Sequence, residues 1–253
     1  MPLFGRRSKG GKREALRPSP EQPPNDPDGM REATNALSAL YESKVHDAEG
    51  RIRVEDLLSA AAAACGEACI AAARDFDLEH HTFAPGAAVL SDRVNAILVA
   101  DAPDWDSAAT SVFGIIRGGA LAQGYTAEDF PALDEPIRLF VAAVDGNGAA
   151  AVPWGFVPLS VPEAHRPFIP PLRQAYELRA GVRALFTEHQ MPAAEWPHTC
   201  AFALVVELSR VRQAIDPGIA VRLVLETVNG MAKTAPMTDR HLREAGGTGP
   251  QGG

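Results

Sequence analysis

The chain is short of cysteine, lysine and aromatic residues, and each shortage excludes something. Three cysteines in 253 residues, Cys65, Cys69 and Cys200, are odd in number and too few to staple a chain of this size, which fits a reducing compartment. Only four lysines stand beside twenty arginines, and 24 basic against 32 acidic residues leave a net charge of −8. A protein so charged does not hold polyanions through its whole surface, so a nucleic-acid or anionic-lipid partner must meet a local basic patch. No run reaches the roughly 20 consecutive apolar residues of a membrane-spanning helix, and the opening MPLFGRRSKGGKR lacks the apolar core of a secretory signal. Together these features point to the cytosol, with at most peripheral membrane contact.

Catalytic signatures are equally scarce. GxxxxGK[ST] and GxGxxG are missing, and with them the usual phosphate-cradling loops; GxSxG, HExxH and CxxC are missing too. The catalytic residues are therefore unknown from sequence, and no cofactor is expected.

What is there begins with a charged tail. Residues 1–29 combine Arg6, Arg7, Lys9, Lys12, Arg13 and Arg17 with a Pro/Asp-rich stretch, SPEQPPNDPDG, and read as disordered. Counted through position 18, the tail carries +5, leaving −13 on the rest of the chain. Such a tail is attracted to an acidic protein, an anionic membrane surface or nucleic acid. The plainer alternative is a solubilising tail that touches only its own acidic body. At the other end, residues 241–253 close on GGTGPQGG and read as flexible.

Between the tails, residues 30–240 read as a single all-α domain of about eight helices. Ala33, Leu37, Leu40, Tyr41 and Val45 fall at three- and four-residue intervals, and so do Leu57, Leu58, Ala61, Cys65, Ala68, Cys69 and Ala72. A third helix is expected across Val89, Leu90, Val94, Ile97 and Leu98, and a fourth, capped by Ser107, across Val112, Phe113, Ile116 and Ala120. In the fourth, Gly114 and Gly118 suggest close approach of a neighbouring helix, since interior glycine otherwise costs about 1 kcal/mol. Thr126 and Asp129 suit a capping box, and a short helix follows from Asp134 to near Gly146. These elements make up a first half, residues 30–145. A second half, residues 171–236, starts with Pro171 at a first helical position, continues from Trp196 to Ile215, restarts after Asp216 and halts at Pro236. No alternation marks a strand.

The halves are joined by a Pro-rich segment, 146–170, whose length without regular structure is uncommon inside a compact domain. It crosses a helix groove, covers a pocket, or presents aromatics to a partner. Its large aromatics, Trp154, Phe156 and Phe168, are of a kind usually buried for their area, so anchoring to the core is the first expectation; Trp154 and Phe156 are the residues for a partner contact otherwise.

Three further groups carry potential chemistry. Cys65 and Cys69 share a helix face, with His80 and His81 just beyond, a set that suits zinc or copper(I); on an apolar stripe among alanines, though, cysteine behaves as a small hydrophobe. No metal is therefore assigned. Arg93 lies on an apolar helix, while Arg222, Glu226, Asn229 and Lys233 share one helix face, so Arg93, Arg222, Glu226 and Asn229 are candidates to line a polar pocket. Ion pairs on a solvent face are the alternative. Two functions follow. The first is a non-catalytic helical interaction or assembly protein, with a protein partner or a second copy of itself, its basic tail docking to an acidic surface. The second is an enzyme or small-molecule or metal-binding protein with a pocket between the halves.

Overall fold

Apolar residues repeating with the period of a helix, interrupted by Pro, Gly and capping residues, produce eight α-helices among the described residues; a computed structural model describes residues 27–46, 49–76, 83–145 and 152–238. They are α1 Pro27–Lys44, α2 Val54–Ala73, α3 Asp92–Val99, α4 Val112–Ala122, α5 Glu135–Val144, α6 Pro171–Glu188, α7 Trp196–Val211 and α8 Pro217–Met231. Among the described residues there is no strand, only an isolated antiparallel bridge between Ala88 and Thr234. The basic residues Arg6, Arg7, Lys9, Lys12 and Arg13, and His80 and His81, lie outside the described residues.

The fold is arranged around α2. Its alanines present almost no side-chain bulk, so α8, α7 and α6 pack along it, with α3 and α1 at its sides. The two sequence halves therefore share one core. By length and composition α2 is apolar enough to span a bilayer although Glu55, Asp56 and Glu67 interrupt its apolar residues, but 83% of that stretch is buried inside the protein. Its hydrophobicity is satisfied by packing.

Glycine permits the closest approach. A Cβ on Gly66 would lie 2.7 Å from the Val228 carbonyl oxygen and 2.7 Å from the Met231 Cβ, so α8 rests directly on the α2 backbone. On α4 the glycine reading needs correction. Gly118 faces open space, whereas Gly119, one position on, is the contact, its hypothetical Cβ 2.4 Å from Val205 of α7. Gly114 is crowded by its own preceding turn, 1.9 Å from the Ala108 carbonyl oxygen.

Side-chain caps set three of the helix starts. Ser91 caps α3 by accepting from the Val94 N–H, Ser111 caps α4 by accepting from the Gly114 N–H, and Asp216 caps α8 by accepting from the Ile219 N–H. Two expectations are displaced here. Ser107 sits in the preceding turn, held by Asp104, and Val89 and Leu90 are extended, Val89 donating its N–H to the Lys233 carbonyl oxygen. Thr126 and Asp129 do form a capping box, on a 3₁₀ turn, Ala127–Asp129.

The two glycines differ in a way that unfolding measurements detect. Gly66→Ala is expected to destabilise the protein by about 1–3 kcal/mol through overpacking against α8. Gly118→Ala, with nothing in the way, is expected to stabilise it by up to about 1 kcal/mol through helix propensity. Equal effects in denaturant titrations would contradict this packing.

Candidate functional site

The polar face of α8 is the first place to look, because the sequence puts Arg222, Glu226, Asn229 and Lys233 on one stripe. The structure does bring them together, but against other parts of the chain. Arg222 pairs with Glu135 at the start of α5, and the Glu226 carboxylate accepts from both the N–H and the hydroxyl of Ser160. Asn229 donates Nδ2–H to the Pro136 carbonyl oxygen at 2.9 Å, and Lys233 Nζ donates to Asn229 Oδ1 at 2.8 Å while lying 5.9 Å from the centre of the Phe140 ring. The stripe thus fastens α5 and the Pro-rich segment to α8. Burial raises the Glu226 pKa, opposed by the Ser160 hydrogen bonds, and burial lowers that of Lys233 to about 8. Arg93 does not join this group: its side chain is exposed and pairs with Asp75.

A second buried polar contact joins α1 to α7. Glu207 is fully buried, with Ser38 donating to it and Arg210 beside it, Arg210 also pairing with Glu42. Burial raises the Glu207 pKa against these contacts, and its Oε2 has no hydrogen-bond partner among the described residues.

The three cysteines converge in the core although Cys200 is far from the others in sequence. Tyr41 donates its hydroxyl toward Cys200 Sγ at 3.9 Å, and Cys65 Sγ faces the Pro197 carbonyl oxygen at 3.7 Å. Interaction with Cys69 and burial push the Cys65 thiol well up, and burial pushes that of Cys200 up to about 12. Since the thiolate is the form that binds metals and attacks electrophiles, Cys65 and Cys200 behave as core side chains, and Cys69 is buried with them. Among the described residues, no three or more His, Cys, Asp or Glu side chains are placed to hold a metal ion.

The Pro-rich segment forms a strap, residues 152–170, tied down along its length. Asp56, buried at the start of α2, accepts the N–H groups of Phe168 at 2.8 Å and Ile169 at 3.0 Å. Arg53 donates to the carbonyl oxygens of Arg166 and Ala164, and His165 meets Glu55 at 2.9 Å. Gln174 completes the joint, donating to the Asp56 carbonyl oxygen and accepting from Ser59. The start of the strap is also held to the start of α6, Leu172 N–H donating to the Gly155 carbonyl oxygen.

The expectation that aromatics anchor this segment is reversed. Val157 and Val161 are buried, and Phe156 is only half-buried. Trp154 is 63% exposed, its indole over Gly86, and Phe168 is 75% exposed beneath the Arg53 guanidinium, 3.9 Å from the ring centre. Phe168, not Phe156, therefore joins Trp154 at the surface. The sequence places Phe168 among the segment's aromatics but carries no sign of its exposure, because Asp56, which holds its N–H, and Arg53, which lies over its ring, are more than a hundred positions away.

A shallow groove between α2 and α6 encloses about 30 Å³, lined mainly by alanines, Val182 and Trp196. That is room for a water or two, against several hundred Å³ for an ordinary small-molecule site. No protein-family model, curated protein or solved structure matches the chain.

Lys233 generates a direct test of the α8 contact. With its pKa near 8 in the folded chain and near the ordinary 10.5 when unfolded, the unfolded state binds more protons across that interval. Stability through Lys233 therefore rises with pH between those two values, by about 3 kcal/mol in full. Unfolding of wild type and Lys233→Met, compared from pH 8 to pH 10.5, is expected to show wild type gaining stability relative to the variant. A pH-independent difference would mean that Lys233 is solvated in the fold.

Proposed function

We propose that the protein is a non-catalytic interaction protein whose strap presents Trp154 and Phe168 to a protein partner. The observation that carries this reading is the exposure of two large aromatics on a segment that the rest of the chain holds in place. Exposed aromatics beside arginine match the composition of protein interfaces, and a prefixed backbone loses little conformational freedom on binding. Pro153 and Pro170 flank the aromatics and restrict the backbone further. The enzyme reading draws less support: the polar stripe on α8 is occupied by α5 and the strap, and the α2–α6 groove is small.

The basic tail has a separate part in this proposal. Arg6, Arg7, Lys9, Lys12 and Arg13 extend the range over which an acidic partner is attracted, raising the association rate while the strap supplies the fitted contact. On this reading the partner carries an apolar pocket bordered by acidic residues.

A photoreactive benzoylphenylalanine at position 154 or 168, introduced in the protein's own host, is expected to yield one discrete adduct with another protein, or with a second copy of this chain. The same group at exposed Ala132 is the control. Adducts at 154 and 168 no different from those at 132 would overturn the proposal.

A further inference from the structure

Helix α5 is more apolar than its attachment to the body requires. Seven of its ten residues are Ala, Val, Leu, Ile or Phe, yet of these only Phe140 is fully covered. Ile137, Leu139, Ala142 and Ala143 are half-buried, and Val141 and Val144 stay 44% and 50% exposed. The helix is nonetheless fixed in place, since Asn229 donates to the Pro136 carbonyl oxygen and Arg222 pairs with Glu135. A helix on a protein surface normally turns charged and polar side chains to solvent, so two valines on its outer side call for a cover.

Charge on the same side selects the cover. Arg138 and Asp145 stand two helical turns apart on one side of α5, with Val141 between them. Arg138 donates Nε and Nη2 to its own Asp134, which leaves the Nη1 N–H groups for a further carboxylate. Asp145 is exposed and makes no ion pair among the described residues. A face with a cation at one end, an anion at the other and valine in the middle is complementary to itself when turned end for end. An antiparallel copy sets each Arg138 opposite Asp145 of the other, whereas a parallel copy sets like charge on like.

We propose that α5 is a self-association surface: two copies of the chain pair antiparallel along it, about a two-fold axis beside Val141. Val141 and Val144 lie in the contact, and Arg138 of each copy meets Asp145 of the other. The contact is small. About three turns of helix bury less than the ~800 Å² per partner of a stable complex, so the dimer is weak, with Kd on the order of 100 µM. Helix α5 carries neither Trp154 nor Phe168, so this inference stands independently of the partner assigned to the strap.

Sedimentation equilibrium of the full chain between about 10 µM and about 1 mM, combined with charge reversal, tests the proposal. Arg138→Asp and Asp145→Arg are each expected to weaken association about tenfold or more, and the double variant, which exchanges the two charges, to return it to within about threefold of wild type. Recovery of that kind cannot come from misfolding. Val141→Glu is expected to abolish the dimer while the circular dichroism of the monomer stays unchanged. A chain that remains monomeric to about 1 mM would overturn the proposal, as would a dimer indifferent to the single reversals or one that the double variant fails to restore. A dimer lost in Trp154→Ala and kept in Val141→Glu would also overturn it, since that result puts the contact on the strap.

Discussion

Close contact along α2 is the constraint on which the rest of the structure depends. The helix is built largely from side chains so small that three other helices can lie against it, and at Gly66 the backbone of α8 takes the place of a side chain. Alanine buries little area per residue, so the larger side chains that fill the remaining space come from the surrounding helices: Leu178 and Phe186 from α6, Leu204 and Leu208 from α7, Leu223 and Val224 from α8. The arrangement makes α2 a spacer whose thinness determines how far apart its neighbours sit. A larger residue at one of its contact points would displace a whole helix.

Such packing is apolar and carries little directional information, and the buried polar contacts supply it. Asp56 and Gln174 fix where the strap meets α2; Glu226 and Asn229 fix where α5 and the strap meet α8; Glu207 fixes α1 against α7. On α7 and α8 the contacts involve desolvation, which raises the pKa of Glu207 and of Glu226 and lowers that of Lys233. Buried groups of this kind add less to stability than they subtract from the alternatives, because sliding a helix by one turn would leave them unpaired. On the outside, the consequence is the display of Trp154 and Phe168.

The helical architecture was legible in the sequence because the 3.6-residue period and the Pro and Gly punctuation are local. The capping box at Thr126 and the starts at Pro171 and Asp216 were legible for the same reason. Errors arose where a local signal had two candidates. Ser107 and Ser111 both precede the apolar stripe of α4, and only the hydrogen bond to Gly114 decides between them. Val89 and Leu90 continue the stripe of α3 by spacing, but Val89 is drawn into a contact with Lys233, 144 positions later. The α8 stripe was recognised as a unit, yet what covers it was not, since Ser160 and Pro136 carry no mark of their destination. The strap was the least legible part: the exposed Phe168 stands where Asp56 of α2 holds its N–H, a tether that no spacing within the segment reveals.

The account's central claim is that buried contacts from α2 hold the strap in a fixed form, and amide hydrogen exchange tests it most directly. The Phe168 and Ile169 N–H groups bond to Asp56, so both are expected to exchange only with unfolding of the helical core, as slowly as the centre of α2. In Asp56→Ala the two amides are expected to become fast while the α2 amides remain slow. Rapid exchange of Phe168 and Ile169 in the wild-type chain would contradict the account, because a strap that opens freely does not present its aromatics in a fixed arrangement.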